Sequence, residues 1–143
     1  MSVACSATGT LYNDDLSLSD KYIIIYRPDH FCGILGTPDV IINDHLILKI
    51  KNNGYTKVVA DPGEYTIEIK FSGIPGANVY KLIQVQKEYR YYLKYKIGCS
   101  IYGIINFPTT LQIMKYENAL SELAHTHFQP PLIEHVEPVE STQ

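Results

Sequence analysis

From Lys21 to Tyr116, apolar and polar residues alternate in short stretches with a period of two, and turn-forming residues separate the stretches. That period is the mark of extended backbone, in which neighbouring side chains point to opposite faces. In "EYTIEIKF", Tyr65, Ile67, Ile69 and Phe71 share one face while Glu64, Thr66, Glu68 and Lys70 share the other, which predicts a half-buried strand. "KYIIIYR" has no such alternation. Its β-branched and aromatic run, closed by Pro28, predicts a strand buried on both faces. "VIIN" and "LILKIK", on either side of Asn43-Asp44-His45, predict a hairpin with a short polar turn. Asn53-Gly54 and Asp61-Pro62-Gly63 bracket a further strand, because Pro presets φ, Gly accepts positive φ, and Asn or Asp tolerates the bend. "VYKLIQVQ" and "TLQIMKY" read as strands too. In "EYRYYLKYKIG" the odd positions Tyr89, Tyr91, Leu93, Tyr95 and Ile97 oppose Arg90, Tyr92, Lys94 and Lys96, so Tyr92 is expected on the polar face.

Beyond Lys115 the period changes to about 3.6. Tyr116, Ala119, Leu120, Leu123, Ala124, His127 and Phe128 form one stripe, which predicts an amphipathic helix ended by Gln129-Pro130-Pro131, with His125 and His127 at its C-terminal, dipole-favoured end. "CSATGTLYNDDLSLS" shows neither period and reads as a loosely held arm. The expected organisation is an arm over residues 1–20, a β domain with its terminal helix over 21–128, and an acidic flexible tail over 129–143. Seven or eight short strands with no helix between them predict a mainly β, mainly antiparallel sandwich or barrel.

Composition narrows this to one globular domain: 143 residues, 45% of them hydrophobic and 19% charged, with 12 Tyr and no Trp. The net charge of −3 resides in Glu134, Glu137 and Glu140, so residues 1–128 carry equal numbers of cations and acids. An electrically balanced body lacks the field that holds nucleic-acid backbones, and nucleic acid is not an expected partner. No apolar run reaches the roughly 20 residues that cross a bilayer as a helix.

Candidate chemistry is sparse. His30, His45, His125, His127 and His135 are scattered and specify no Cys–His nucleophilic pair. His125 and His127 diverge if helical, and would share a face for a metal only if extended. "KEYRYYLKYK" interleaves cations with aromatics, but the strand period sends most Tyr inward and the cations outward, as on an edge strand guarded against sticking. Its tyrosines suit protein contact better than base stacking, and glycan contact less well than protein. The sequence contains no glycine-rich phosphate loop, paired CxxC or GxSxG. We assign no catalytic residue, cofactor or metal ligand from it.

"YIIIYRP", "VIINDHLILKIKNNGYTKVVADPGEYTIEI" and "YRYYLKYKIG", in this order, resemble the bacterial domain of unknown function family 2846, whose members are often small lipoproteins. The turn Asp61-Pro62-Gly63-Glu64-Tyr65-Thr66 is also similar to that of PEGA-type envelope modules. One departure is Lys87-Glu88, where the family commonly has Gly before the "YYL" strand. The resemblance implies an immunoglobulin-like sandwich in the cell envelope and no catalytic residues.

It also gives Cys5 a role. "SVAC" resembles the end of a lipobox, so Cys5 is the candidate lipidation site, with Ser6 favouring the outer membrane and the polar arm serving as stand-off. Met1–Ala4 leave no room for the basic start and apolar core of a leader, and a sequence that begins just before the mature Cys accounts for this. In the oxidising periplasm Cys32 and Cys99 are candidates for a disulfide, the alternative being two separate thiols. The expected function is a non-enzymatic, lipid-anchored adaptor on the periplasmic face of the outer membrane. Its partners are envelope proteins, with contacts through residues 29–39, 72–78 or the tail. The alternatives are a cytoplasmic interaction or nucleic-acid-binding module if Met1 is the native start, and a small Cys/His hydrolase.

Overall fold

The computed structural model describes residues 6–13, 21–30, 36–71, 78–87, 89–101 and 105–139. The strands are β1 (Tyr22–Arg27), β2 (Asp39–Ile42), β3 (His45–Lys49), β4 (Gly54–Ala60), β5 (Gly63–Lys70), β6 (Val79–Val85), β7 (Tyr91–Lys96), β8 (Cys99–Ile101), β9 (Ile105–Phe107) and β10 (Thr110–Met114). Helix α1 (Tyr116–Leu123) follows, then the two-residue strands β11 (His127–Phe128) and β12 (His135–Val136). One sheet runs β10-β7-β1-β4-β11, with β12 also paired to β4; the other runs β3-β2-β5-β6; β8 and β9 form a separate hairpin. The chain is a β-sandwich, not a barrel.

Every strand predicted from the pattern is present. At the β2–β3 hairpin, Asn43 and Asp44 take φ of 49° and 65°, the pair of positive angles whose twist matches that of the flanking strands. The Asn43 carboxamide is then placed to accept the Thr66 N–H at 2.8 Å and to donate to the Glu137 carbonyl at 2.8 Å. Pairing departs from the expected antiparallel pattern at β1–β7, β4–β11 and β4–β12, which are parallel. No crossover helix is needed at β1–β7, because the chain visits the other sheet twice between them: the excursion through β2 and β3 returns it antiparallel as β4, and the excursion through β5 and β6 restores the direction of β1.

The main core lies between the sheets, where Ile23, Ile25, Val40, Ile42, Ile67, Ile69, Leu93 and Tyr95 are each fully buried. A second cluster, of Ile24, Tyr26, Tyr55, Tyr92, Ala119 and Leu123, lies on the other face of the larger sheet under α1. This third layer explains the continuous apolar run of β1. It also corrects the expectation for Tyr92, which is buried, not on a wet face.

Three further expectations are corrected. The helix ends at Leu123, and His127 and Phe128 belong to a strand. Thr126 turns the chain there, its hydroxyl donating to the Leu123 carbonyl at 2.7 Å, and the His127 and Gln129 N–H groups then pair with the Asn53 and Tyr55 carbonyls on the edge of β4. The arm, in its described part, is docked: Ala7 N–H donates to Asn52 O, Tyr12 N–H to Thr126 O, and Phe128 N–H to Thr10 O. A Cβ on Gly9 would lie 2.0 Å from the Phe128 carbonyl oxygen, so only glycine allows this approach. The tail is fixed as far as Val139, whose N–H donates to Glu64 O, and Val136 is buried in the main core.

Candidate functional site

The two long sides of the sandwich differ. On one, residues 127–136 run along the edges of both sheets. They pair with β4 as β11 and β12, while Leu132 N–H donates to Ile47 O and Gln129 Nε2 donates to Lys49 O on β3. The arm in turn covers β11. On the other side β6 faces β10, and side chains rather than a strand span the gap. Lys81 Nζ donates to Leu111 O at 3.0 Å, Tyr91 Oη donates to Gln84 O at 2.8 Å, and Gln86 N–H donates to Tyr91 Oη at 3.3 Å.

A groove of about 760 Å³ opens on this second side, between the start of β7, the end of β10 and the start of α1. Tyr89, Ile113 and Tyr116 line it at 58%, 49% and 38% exposure. The rings of Tyr89 and Tyr91 lie 6.3 Å apart, and those of Tyr92 and Tyr116 lie 5.9 Å apart. Arg90 and Lys115 bring positive charge to the lining, and Glu117 is the one acid there among the described residues. A groove that exposes large apolar side chains beside cations is suited to contact with another chain.

Two other depressions are present. One of about 710 Å³, between the β2–β3 hairpin and the C-terminal segment, holds Asp44, His45, Glu68 and Glu137. One of about 530 Å³ lies beside the arm and is lined by Leu46, Leu132, Lys49 and Lys51 with no carboxylate among its described lining.

The phenols with raised pKa values belong to the core. Tyr26 is pushed up by burial first and then by Glu122, whose carboxylate also pairs with Lys94 at 2.7 Å. Tyr65 is pushed up to about 12 by burial and the charge of Asp61, and Tyr95 to about 12 by burial against the opposing pull of Arg27.

Of the candidate residues read from the sequence, the structure describes the histidines but not the cysteine side chains. Cys5 and Cys32 lie outside the described residues, and of Cys99 only the backbone, in β8, is described, so the disulfide reading is neither met nor contradicted. His45 is on the β2–β3 hairpin, His127 Nδ1 lies 2.8 Å from the Gly9 carbonyl oxygen, and His135 Nε2 lies 3.0 Å from Asp61 Oδ2. Among the described residues no three of His, Cys, Asp and Glu are grouped to hold a metal ion. Residues 31–35 and 72–77, within the loops expected to make contacts, lie outside the described residues. The open groove was not among the sequence candidates. Its signal was "TLQIM", a strand with no charge or proline to guard an edge.

No curated protein and no solved structure matches the chain. The family model for DUF2846, a protein family of unknown function, matches residues 19–105, more than half of the chain and nearly all of the sandwich as far as β9. The chain therefore belongs to the DUF2846 family.

Proposed function

We propose that this protein is a non-enzymatic adaptor of the cell envelope, held to the periplasmic face of the outer membrane by lipid on Cys5 and contacting envelope proteins through the groove beside β10. The observation that carries this reading is the placement of the two ends of the larger sheet. The arm that leads from Cys5 docks along β11 at one edge, and the groove lies at β10, the opposite edge. The four strand spacings between them amount to about 19 Å. Lipid on Cys5 would thus hold one edge at the membrane and leave the other open to partners.

Surface chemistry supports the same orientation. Leu46 and Leu132 are exposed beside the arm together with Lys51 and with Lys49, whose ammonium also pairs with Asp39 at 2.7 Å, a combination that suits an anionic headgroup layer chiefly through Lys51. Because Ser6 and Ala7 are already paired with Asn52, the arm gives little stand-off. Confinement to a surface raises the effective concentration of a partner, so a weak groove contact suffices.

The test is fatty-acid labelling and membrane fractionation of the protein expressed from its full reading frame, compared with Cys5→Ala. Label and membrane association lost together in Cys5→Ala are expected. A wild-type protein that stays soluble and unlabelled removes the anchored reading and leaves the cytoplasmic alternative.

A further inference from the structure

The edges of both sheets can be followed one by one. The C-terminal segment covers β4 and β3, and the arm covers β11. On β6, the Tyr91 hydroxyl engages the Gln84 carbonyl and the Gln86 N–H at the end of the strand, while Tyr80 and Leu82, whose main-chain groups face the same way, flank Lys81, a charge of the kind that guards an edge. On β10, Lys81 reaches the Leu111 carbonyl from outside the sheet. This marks Leu111, and by the two-residue period Ile113, as the positions whose main-chain groups face away from β7. Among the described residues the N–H and C=O of Ile113 have no partner on that side.

We infer that the edge of β10 at Ile113 is a strand-addition site for an extended segment of a partner protein, with alternating apolar side chains and flanking acidic residues. An added strand would bond to the Ile113 main chain, and its side chains would fall alternately on two existing surfaces. On the inner face lie Ile113 and Tyr91; on the outer face lie Met114, Tyr92 and Tyr116. Strand β10 carries no charged residue and no proline, the devices by which exposed edges avoid such pairing. Acidic flanks follow from the small positive excess there: Arg90 and Lys115 on the groove and Lys87 next to it in sequence, against Glu117 on the groove and Glu88 next to it in sequence. The inference names the partner class for the groove used in the adaptor reading, but it does not depend on the lipid.

The test is selection from a random peptide display library, of strand length, on the full chain in its unacylated form, followed by affinity measurement on synthetic copies of the enriched peptides. Alternating apolar residues with acidic flanks are expected. N-methylation of the peptide at one set of alternate positions should weaken binding roughly tenfold, while methylation of the other set leaves it unchanged, because only alternate amides face β10. Ile113→Glu should weaken binding by a similar factor, and Lys115→Glu should shift selection away from acidic flanks. No enrichment, equal sensitivity at both sets of amides, enrichment without acidic bias, or self-association of the chain through β10 in sedimentation would each overturn the inference. Peptide binding by a protein that labelling finds unacylated leaves this site standing and removes only the anchor; an acylated protein that selects no peptide does the reverse.

Discussion

Tyr65 shows how a single side chain can tie elements together. Its hydroxyl lies 2.6 Å from the Asp61 carbonyl and 3.1 Å from the Val136 carbonyl, so the β4–β5 turn and the C-terminal strand meet on one atom of a fully buried ring. Tyr65→Phe keeps the ring but leaves the Val136 carbonyl only the longer 3.5 Å bond from the Asp61 N–H, which should cost about 1 kcal/mol in denaturant unfolding. Alkali acts on the same phenol. An unfolded tyrosine ionises near 10, whereas Tyr65 and Tyr95 are raised to about 12 in the folded chain. Folding therefore favours the protonated phenols. Their contribution is whole below pH 10 and is lost as pH rises through 12, each steepening the decline by at most about 1.4 kcal/mol per pH unit. Denaturation midpoints should hold level from pH 7 to pH 9 and fall between pH 10 and pH 12, and Tyr95→Phe should make that fall shallower; an unchanged slope in Tyr95→Phe would contradict the assignment.

At the scale of elements, the C-terminal segment is an intramolecular strap. It contributes only two paired residues at β12, yet Val136 enters the main core and Glu134, Val136 and Val139 make main-chain bonds to both sheets. Val136→Ala should lower stability by about 2 kcal/mol. Hydrogen exchange should quicken at Val59 and Asp61, whose N–H groups the strap accepts, before it does at β1; protection lost evenly through the sandwich would mean that the strap is not a separable unit. None of this was legible in the acidic, proline-bearing tail sequence, because what orders it is the edge of β4, brought there by the fold. The same edge ended the helix early: a stripe from Tyr116 to Phe128 fits the helical period, but His127 and Phe128 gain partners on β4 that another turn could not supply. Strands β2, β3 and β5 were readable because their pattern and turn chemistry are local. Tyr92 was misread because alternation identifies two faces without saying that α1 covers the second. The open groove was legible only as an absence of guarding charge in "TLQIM", and its aromatic lining comes from β7 and α1, segments that only the folded sheet brings beside it.

For the whole molecule, the fold closes one side with chain and leaves the other bridged by two side chains, so its two edges present different chemistry. If Cys5 carries lipid, this asymmetry fixes an orientation: the arm edge toward the bilayer and the groove edge away. The protein has no Trp, so a single introduced indole reports its own surroundings. In the acylated protein on vesicles of brominated phospholipid, Leu11→Trp, on the arm, should be quenched strongly. Tyr89→Trp, on the groove, should fluoresce as it does on unbrominated vesicles, because bromine quenches only over short distances and the two edges are about 19 Å apart. Raising ionic strength should leave the acyl-held protein bound while weakening the contribution of Lys49 and Lys51, so the contrast between the two positions should narrow as the body tumbles on its anchor. Equal quenching at Leu11→Trp and Tyr89→Trp in low salt would show a domain free to face the membrane with either edge, and the groove would then lose its claim to be the surface held out to partners.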